Sequence, residues 1–143
     1  MIDQKGRVSI PAKFRELILH LGRAELIVTR STSHSLPRLD AYPMGEWESL
    51  EERTRNLPRF DPAVTFFKDF YLGNAHTCDI DSQGRVLVPP RLRDWAMLTK
   101  EIVFTGAGEH FRIQAAAVWQ QIQSENSARV LAGADALLGK LNL

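Results

Sequence analysis

The chain switches repeatedly between two rhythms. Short stretches such as Arg7-Val8-Ser9-Ile10, Leu26-Ile27-Val28-Thr29 and Leu39-Asp40-Ala41-Tyr42 alternate or run apolar, and they predict strands. Between them, helical spacing predicts a helix over Ala12–Leu21, closed by Gly22, and another over roughly Glu46–Leu57, stopped by Pro58. A connecting helix is expected over Asp61–Gly73, with Asp61 as N-cap, Pro62 in the first turn and Gly73 as C-cap. Its aromatics Phe66, Phe67, Phe70 and Tyr71 cover one broad face, which suits packing on the sheet or on a neighbouring subunit better than a cofactor-binding box. Farther on, Arg85-Val86-Leu87-Val88, Ile102–Thr105 and Phe111–Ile113 predict strands, and helices are expected from about Arg91 to Leu98 and over Ala115–Ser127. The stretch 128–143 is apolar but contains Gly133 and Gly139, and it reads as a short helix or a tail.

One pattern occurs twice. Ile2-Asp3-Gln4-Lys5-Gly6-Arg7-Val8-Ser9-Ile10-Pro11-Ala12-Lys13-Phe14-Arg15 aligns with Ile80-Asp81-Ser82-Gln83-Gly84-Arg85-Val86-Leu87-Val88-Pro89-Pro90-Arg91-Leu92-Arg93 at one constant offset. Downstream, Leu26–Thr29 answers Ile102–Thr105, Leu39–Tyr42 answers Phe111–Gln114, and Trp47 answers Trp119. Each unit reads as an Asp-x-x-Gly turn, a short strand, a proline that ends the strand and opens a helix, two more strands, and a closing helix. Neither unit offers enough strands or core to be stable alone. The simplest solution is that the two interleave into one closed sheet about a pseudo-twofold axis.

Composition narrows the possibilities. Lys and Arg number 18 against 17 Asp and Glu, so overall charge does not announce nucleic acid. Any phosphate binding must come from a local cluster, or from many copies of a small one. No apolar run is long enough to span a bilayer, and no signal peptide is expected from the first residues. The single cysteine, Cys78, excludes an intrachain disulfide and favours a reducing compartment.

The doubled Asp-x-x-x-Arg, Asp3…Arg7 and Asp81…Arg85, set inside Asp-x-x-Gly-Arg-hydrophobic-x-hydrophobic-Pro, resembles the MraZ family. So do Phe14-Arg15-Glu16-Leu17, Tyr42-Pro43 with Trp47, Leu72-Gly73-Asn74-Ala75 and Leu98-Thr99-Lys100-Glu101-Ile102-Val103-Phe104-Thr105-Gly106. The resemblance covers nearly the whole chain. It implies an α+β protein in which two AbrB-like halves, 1–57 and 74–127, form a swapped-hairpin barrel of the double-psi type with flanking helices. A connecting helix over 58–73 and a tail over 128–143 complete this division. The resemblance further implies a cytoplasmic, nucleoid-associated, DNA-binding transcriptional regulator without cofactor or turnover. Such a regulator would bind repeated promoter elements of double-stranded DNA as a homo-oligomeric ring, and would commonly repress the division and cell-wall gene cluster and its own gene. The second half keeps Ala75-His76-Thr77-Cys78-Asp79-Ile80, resembling the family's opening strand. The first has only Met1 and Ile2 before Asp3, so either the start is assigned late or the opening strand is missing, and a missing strand would leave one sheet edge exposed.

Arginine suits bidentate contacts to phosphate oxygens or guanine, and Arg7 and Arg85 stand at strand starts beside glycine turns. Asp3 and Asp81 cannot attract phosphate, and their expected part is to pair with the arginine or hold the turn. Lys5, Lys13, Arg15, Arg91 and Arg93 would widen the basic surface, although Arg15 and Arg93, each in the first helix of its unit, also suit an interface between subunits. By residue chemistry alone, Asp-x-x-x-Arg is first a structural ion pair, and a non-DNA-binding oligomeric scaffold is the alternative reading. An aspartic-protease pair is disfavoured, because glycine stands three places after each aspartate and arginine follows it directly. His20, His34, His76 and His110 show no metal-ligand spacing with Cys78, which itself reads as a core residue. Gly106-Ala107-Gly108 lacks the lysine of a phosphate loop and reads as a hairpin turn.

Overall fold

A computed structural model describes residues 1–20, 24–131 and 140. The expected closure of the first helix by Gly22, and most of the segment holding Gly133 and Gly139, lie outside the described residues.

The elements run β1 (Arg7–Ser9), α1 (Ala12–His20), β2 (Glu25–Arg30), β3 (Leu39–Pro43), α2 (Met44–Thr54), α3 (Pro62–Phe67) with a π-helical turn (Lys68–Leu72), β4 (His76–Asp79), β5 (Arg85–Leu87), α4 (Pro90–Trp95), β6 (Ile102–Gly106), β7 (Phe111–Ala115) and α5 (Ala116–Leu131). The result is an α+β chain with two sheets, a β1–β5 ribbon and a five-stranded sheet in the order β4-β2-β3-β7-β6. All pairings are antiparallel.

The pairing interleaves the halves. β1 pairs with β5, β2 with β4 and β3 with β7, so each strand of the first half finds a partner in the second. The ribbon register is symmetric about Val8↔Val86, flanked by Arg7↔Leu87 and Ser9↔Arg85. Ribbon and sheet share one core, in which Val8 and Val86 meet Leu26, Val28, Phe111 and Ile113. Alternation along the strands sets that face. Leu39 and Ala41 point inward from β3, and Phe111 and Ile113 do so from β7. Phe14 of α1 stacks on Phe111 at 4.7 Å and closes the core from the helix side.

The opposite side of the sheet carries a second, smaller cluster built on Ile27, Trp47 and Tyr71, where α2 and the π turn pack. β2 is therefore buried on both faces, which is why it reads as a continuous apolar run. Beside this cluster lies a polar group. Asp40 is buried, accepts from Tyr71 Oη and from Arg112 Nε at 3.3 Å, and has His110 Nε2 at 3.9 Å. Burial pushes the Tyr71 phenol well up and the His110 imidazole down. Tyr71 thereby ties the connecting segment to β3.

β2 has a partner on both sides, whereas β6, its counterpart, pairs with β7 alone among the described residues. An equivalent bond stands just before β6: Ile2 N–H donates to Lys100 O at 2.9 Å, as Ile80 N–H donates to Ala24 O, just before β2, at 2.9 Å. Among the described residues, no helix is long and apolar enough to cross a membrane.

Candidate nucleic-acid interface

The two Asp-x-x-Gly corners have the same hydrogen bonding. In the first, Asp3 Oδ1 accepts the backbone N–H of Lys5 and of Arg7, both at 2.9 Å, and Asp3 O accepts from Gly6 N–H at 3.0 Å. Arg7 Nε then donates to Asp3 Oδ2 at 2.7 Å. In the second, Asp81 Oδ1 accepts from Gln83 and Arg85 N–H at 2.9 Å, and Arg85 Nε donates to Asp81 Oδ2 at 3.0 Å. Gly6 (φ +86°) and Gly84 (φ +76°) occupy the left-handed position that the turn requires. The arginine backbone N–H is the largest influence holding each carboxyl below the ordinary aspartate value, and the guanidinium adds to it.

These ion pairs are solvated, so each contributes little to stability. Their main effect is orientation. With Nε bound to the carboxylate, the Nη groups of Arg7 and Arg85 have no hydrogen bond among the described residues. The side chains remain 30% and 26% exposed, enough to meet a ligand.

Strand periodicity brings the arginines together. Arg7 and Ser9 share one face of β1, and register places Leu87 and Arg85 opposite them. The outer ribbon face thus carries Arg7, Ser9, Arg85 and Leu87, while Val8 and Val86 fill the core. As diagonal cross-strand neighbours, the two arginine positions lie roughly 7–8 Å apart. Sequence reasoning singled out both arginines but missed Ser9 and exposed Leu87. The period of two, applied outward from each arginine, was the signal that could have found them.

The other basic residues separate into two groups. Lys5 is exposed in the first turn, and Lys13 and Arg91 are exposed at the starts of α1 and α4. Lys13 Nζ lies 4.9 Å from the Phe14 ring centroid. Arg15 and Arg93, by contrast, are half-buried, and each lies on the glycine corner of the other half. Cys78 is buried in β4 with its thiol pushed up to about 11 by burial, as a core residue should be. Gly106-Ala107-Gly108 forms the β6–β7 hairpin turn, with Ala107 N–H donating to His110 O. Among the described residues, no three metal-ligating side chains come together.

Fold and site define a pseudosymmetric α+β protein with a duplicated, acid-braced arginine corner on one shared ribbon. A model of the family described as "MraZ protein, putative antitoxin-like" matches residues 1–70 and again 71–140. The chain is 36% identical over 137 residues to a transcriptional regulator MraZ of Desulfitobacterium hafniense, covering 96% of this chain and 91% of that one. The regulator of the same name in Aromatoleum aromaticum is 38% identical over 122 residues, covering 85% and 80% of the two chains, and that of Escherichia coli is 34% identical over 135 residues, covering 94% and 88%. The chain belongs to the MraZ family, whose relatives named above are transcriptional regulators.

Proposed function

We propose that this chain is a DNA-binding transcriptional regulator that reads duplex DNA with the outer face of the β1–β5 ribbon. One observation carries the reading: two equivalent arginines, each aimed by its own aspartate, share a single exposed ribbon face. A two-stranded ribbon fits the major groove, and arginine Nη groups suit phosphate oxygens or the guanine edge. Arg7 and Arg85 make the contacts, Asp3 and Asp81 aim them, and Lys5, Lys13 and Arg91 supply the flanking positive charge.

In the same reading, the ribbon and the sheet form one swapped-hairpin barrel of the double-psi type, with halves at 1–57 and 74–127, a connector over 58–73 and a tail over 128–143. The reciprocal bonds from Ile10 N–H to Gly84 O and from Val88 N–H to Gly6 O support it. The protein acts in the cytoplasm on the nucleoid, as a ring of identical subunits on repeated promoter elements, repressing the division and cell-wall cluster and its own gene. A ring offsets the near-neutral charge, because many weak corners engage repeats together. Exposed Phe60 and Phe66 on and before the connecting helix offer apolar surface for such assembly.

The test is fluorescence anisotropy with a labelled duplex carrying the DNA upstream of its own reading frame. Arg7→Ala and Arg85→Ala should each cost about 1–3 kcal/mol of affinity and, where the contact is to phosphate, lower the salt slope by about one. Wild-type affinity in the double variant removes the ribbon from the interface, and a salt-insensitive intact oligomer favours the scaffold reading.

A further inference from the structure

We infer that Arg15 and Arg93 are reciprocal positioning residues: Arg15 of the first half shapes the Gly84 corner that aims Arg85, and Arg93 of the second half shapes the Gly6 corner that aims Arg7. The inference rests on the ribbon reading above and deepens it.

The geometry is mutual. A methyl group at Gly6 would sit 2.3 Å from Cζ and Nη1 of Arg93 and 2.7 Å from its Nε. At Gly84 it would sit 2.4 Å from Nη1 of Arg15 and 2.6 Å from its Cδ. Each arginine side chain therefore occupies the space that a side chain at the opposite corner would need. Glycine serves twice here, by accepting a positive φ and by admitting that arginine. Arg15 and Arg93 are each the fourth residue of their helix, α1 or α4, which starts just after Pro11 or Pro89. The helix that leaves one strand of the ribbon thus returns its arginine over the turn that enters the other strand.

Two further observations bear on this role. Arg93 Nε is buried and has no hydrogen-bond partner among the described residues, so this edge of the guanidinium faces the protein and not solvent. The same corners are also held from across the molecule through the backbone, Ile10 to Gly84 and Val88 to Gly6, so the arginine completes a grip that the main chain begins. A flat guanidinium over Gly84 limits where the Asp81–Arg85 pair can settle, and the mirror contact does so for Asp3–Arg7.

The test is crosswise coupling, measured in the full chain with the same labelled duplex. Arg15→Ala should weaken binding about tenfold in the wild-type and Arg7→Ala backgrounds, but by less than about twofold once Arg85 is already alanine. Arg93→Ala should show the mirror pattern, losing its effect only in the Arg7→Ala background. Direct phosphate contact, or general loss of stability, gives equal losses in both backgrounds and overturns the inference. Amide NMR of the free protein gives an independent reading, in which Arg15→Ala should shift Gly84 and spare Gly6, and Arg93→Ala the reverse. Shifts confined to the mutated helix also overturn it. Where an alanine variant fails to fold, Arg15→Lys or Arg93→Lys keeps the stem and charge but not the flat group, and should show the same coupling with a smaller loss. Wild-type affinity in the Arg7→Ala, Arg85→Ala double variant sinks the DNA reading, whereas additive losses with that reading intact sink this inference alone.

Discussion

At the scale of single residues, the aspartate of each corner performs two tasks with two oxygens. Oδ1 caps two backbone amides and so makes the turn, and Oδ2 takes the arginine Nε and so aims the side chain. The charged form does both, which gives the corners a defined response to acid. Both carboxyls titrate below the ordinary aspartate value of 3.8, chiefly through the arginine backbone N–H. A carboxylate lowered on folding adds stability that is fully present above the unfolded value and is lost as pH falls through the folded one. An NMR titration of the side-chain carboxyl carbons should place both midpoints below 3.8, so that the corners stay ionised throughout neutral and mildly acidic conditions. A midpoint at or above 3.8 for either residue would show that the backbone amides do not grip the charged form. The chemistry of Asp3 and Asp81 was legible in the sequence because every partner lies within four residues. The placement of Arg15 and Arg93 was not, because their contacts cross to the other half and no local spacing encodes them.

At the scale of elements, local chemistry explains what was readable. Asp61 caps the connecting helix as expected, accepting from Ala63 N–H at 2.9 Å, and Pro62 stands at its first position. Gly73 ends the segment with an ordinary right-handed φ of −69°, so its glycine serves space: a Cβ there would sit 2.8 Å from Asp69 O. The switch from α to π geometry at Lys68 left no mark in the pattern of aromatics, because Phe66, Phe67, Phe70 and Tyr71 satisfy either spacing on one face. Helix ends were the weakest reading. α2 begins at Met44 and ends at Thr54, and α4 stops at Trp95 instead of continuing to Leu98. The second difference has a tertiary cause: Leu98 is buried in the core, and the chain turns at Met97 (φ +56°) to deliver it. Leu98 N–H to Arg93 O and Met97 N–H to Asp94 O close that end in Schellman fashion, with a side chain where glycine is usual. Met97 is exposed, so Met97→Gly removes a left-handed penalty of about 1–2 kcal/mol at the cost of some chain entropy. Urea denaturation should find the variant as stable as the parent or up to about 1 kcal/mol more stable. Clear destabilisation would mean that the Met97 side chain contributes packing that its exposure does not suggest.

At the scale of the whole molecule, the duplication read from the sequence is also the principle of assembly. Repeat logic expects that neither unit suffices alone, and the strand pairing agrees with that expectation: β1, β2 and β3 each pair with a strand of the second half. A fragment of residues 1–57 should therefore show no cooperative urea transition by circular dichroism, and mixing it with a fragment beginning at residue 58 should restore one. A cooperative transition in the first fragment alone would show that the cross-half pairs are dispensable. The sequence could not reveal which strand pairs with which, because short apolar strands carry no partner label, and register emerges only when two faces must be buried at once. The smaller cluster of Ile27, Trp47 and Tyr71 was likewise beyond reach, since it depends on how the connecting segment folds back over β2.

The pairing of Arg7 with Leu87 also sets a schedule for synthesis. The first arginine corner is synthesised well before β5, and its strand has no ribbon partner until residue 87 has been made. Contacts so far apart in the chain close late and slowly. A chain cut short before that point would carry the first Asp-x-x-Gly-Arg turn without the strand that β1 pairs with in the ribbon.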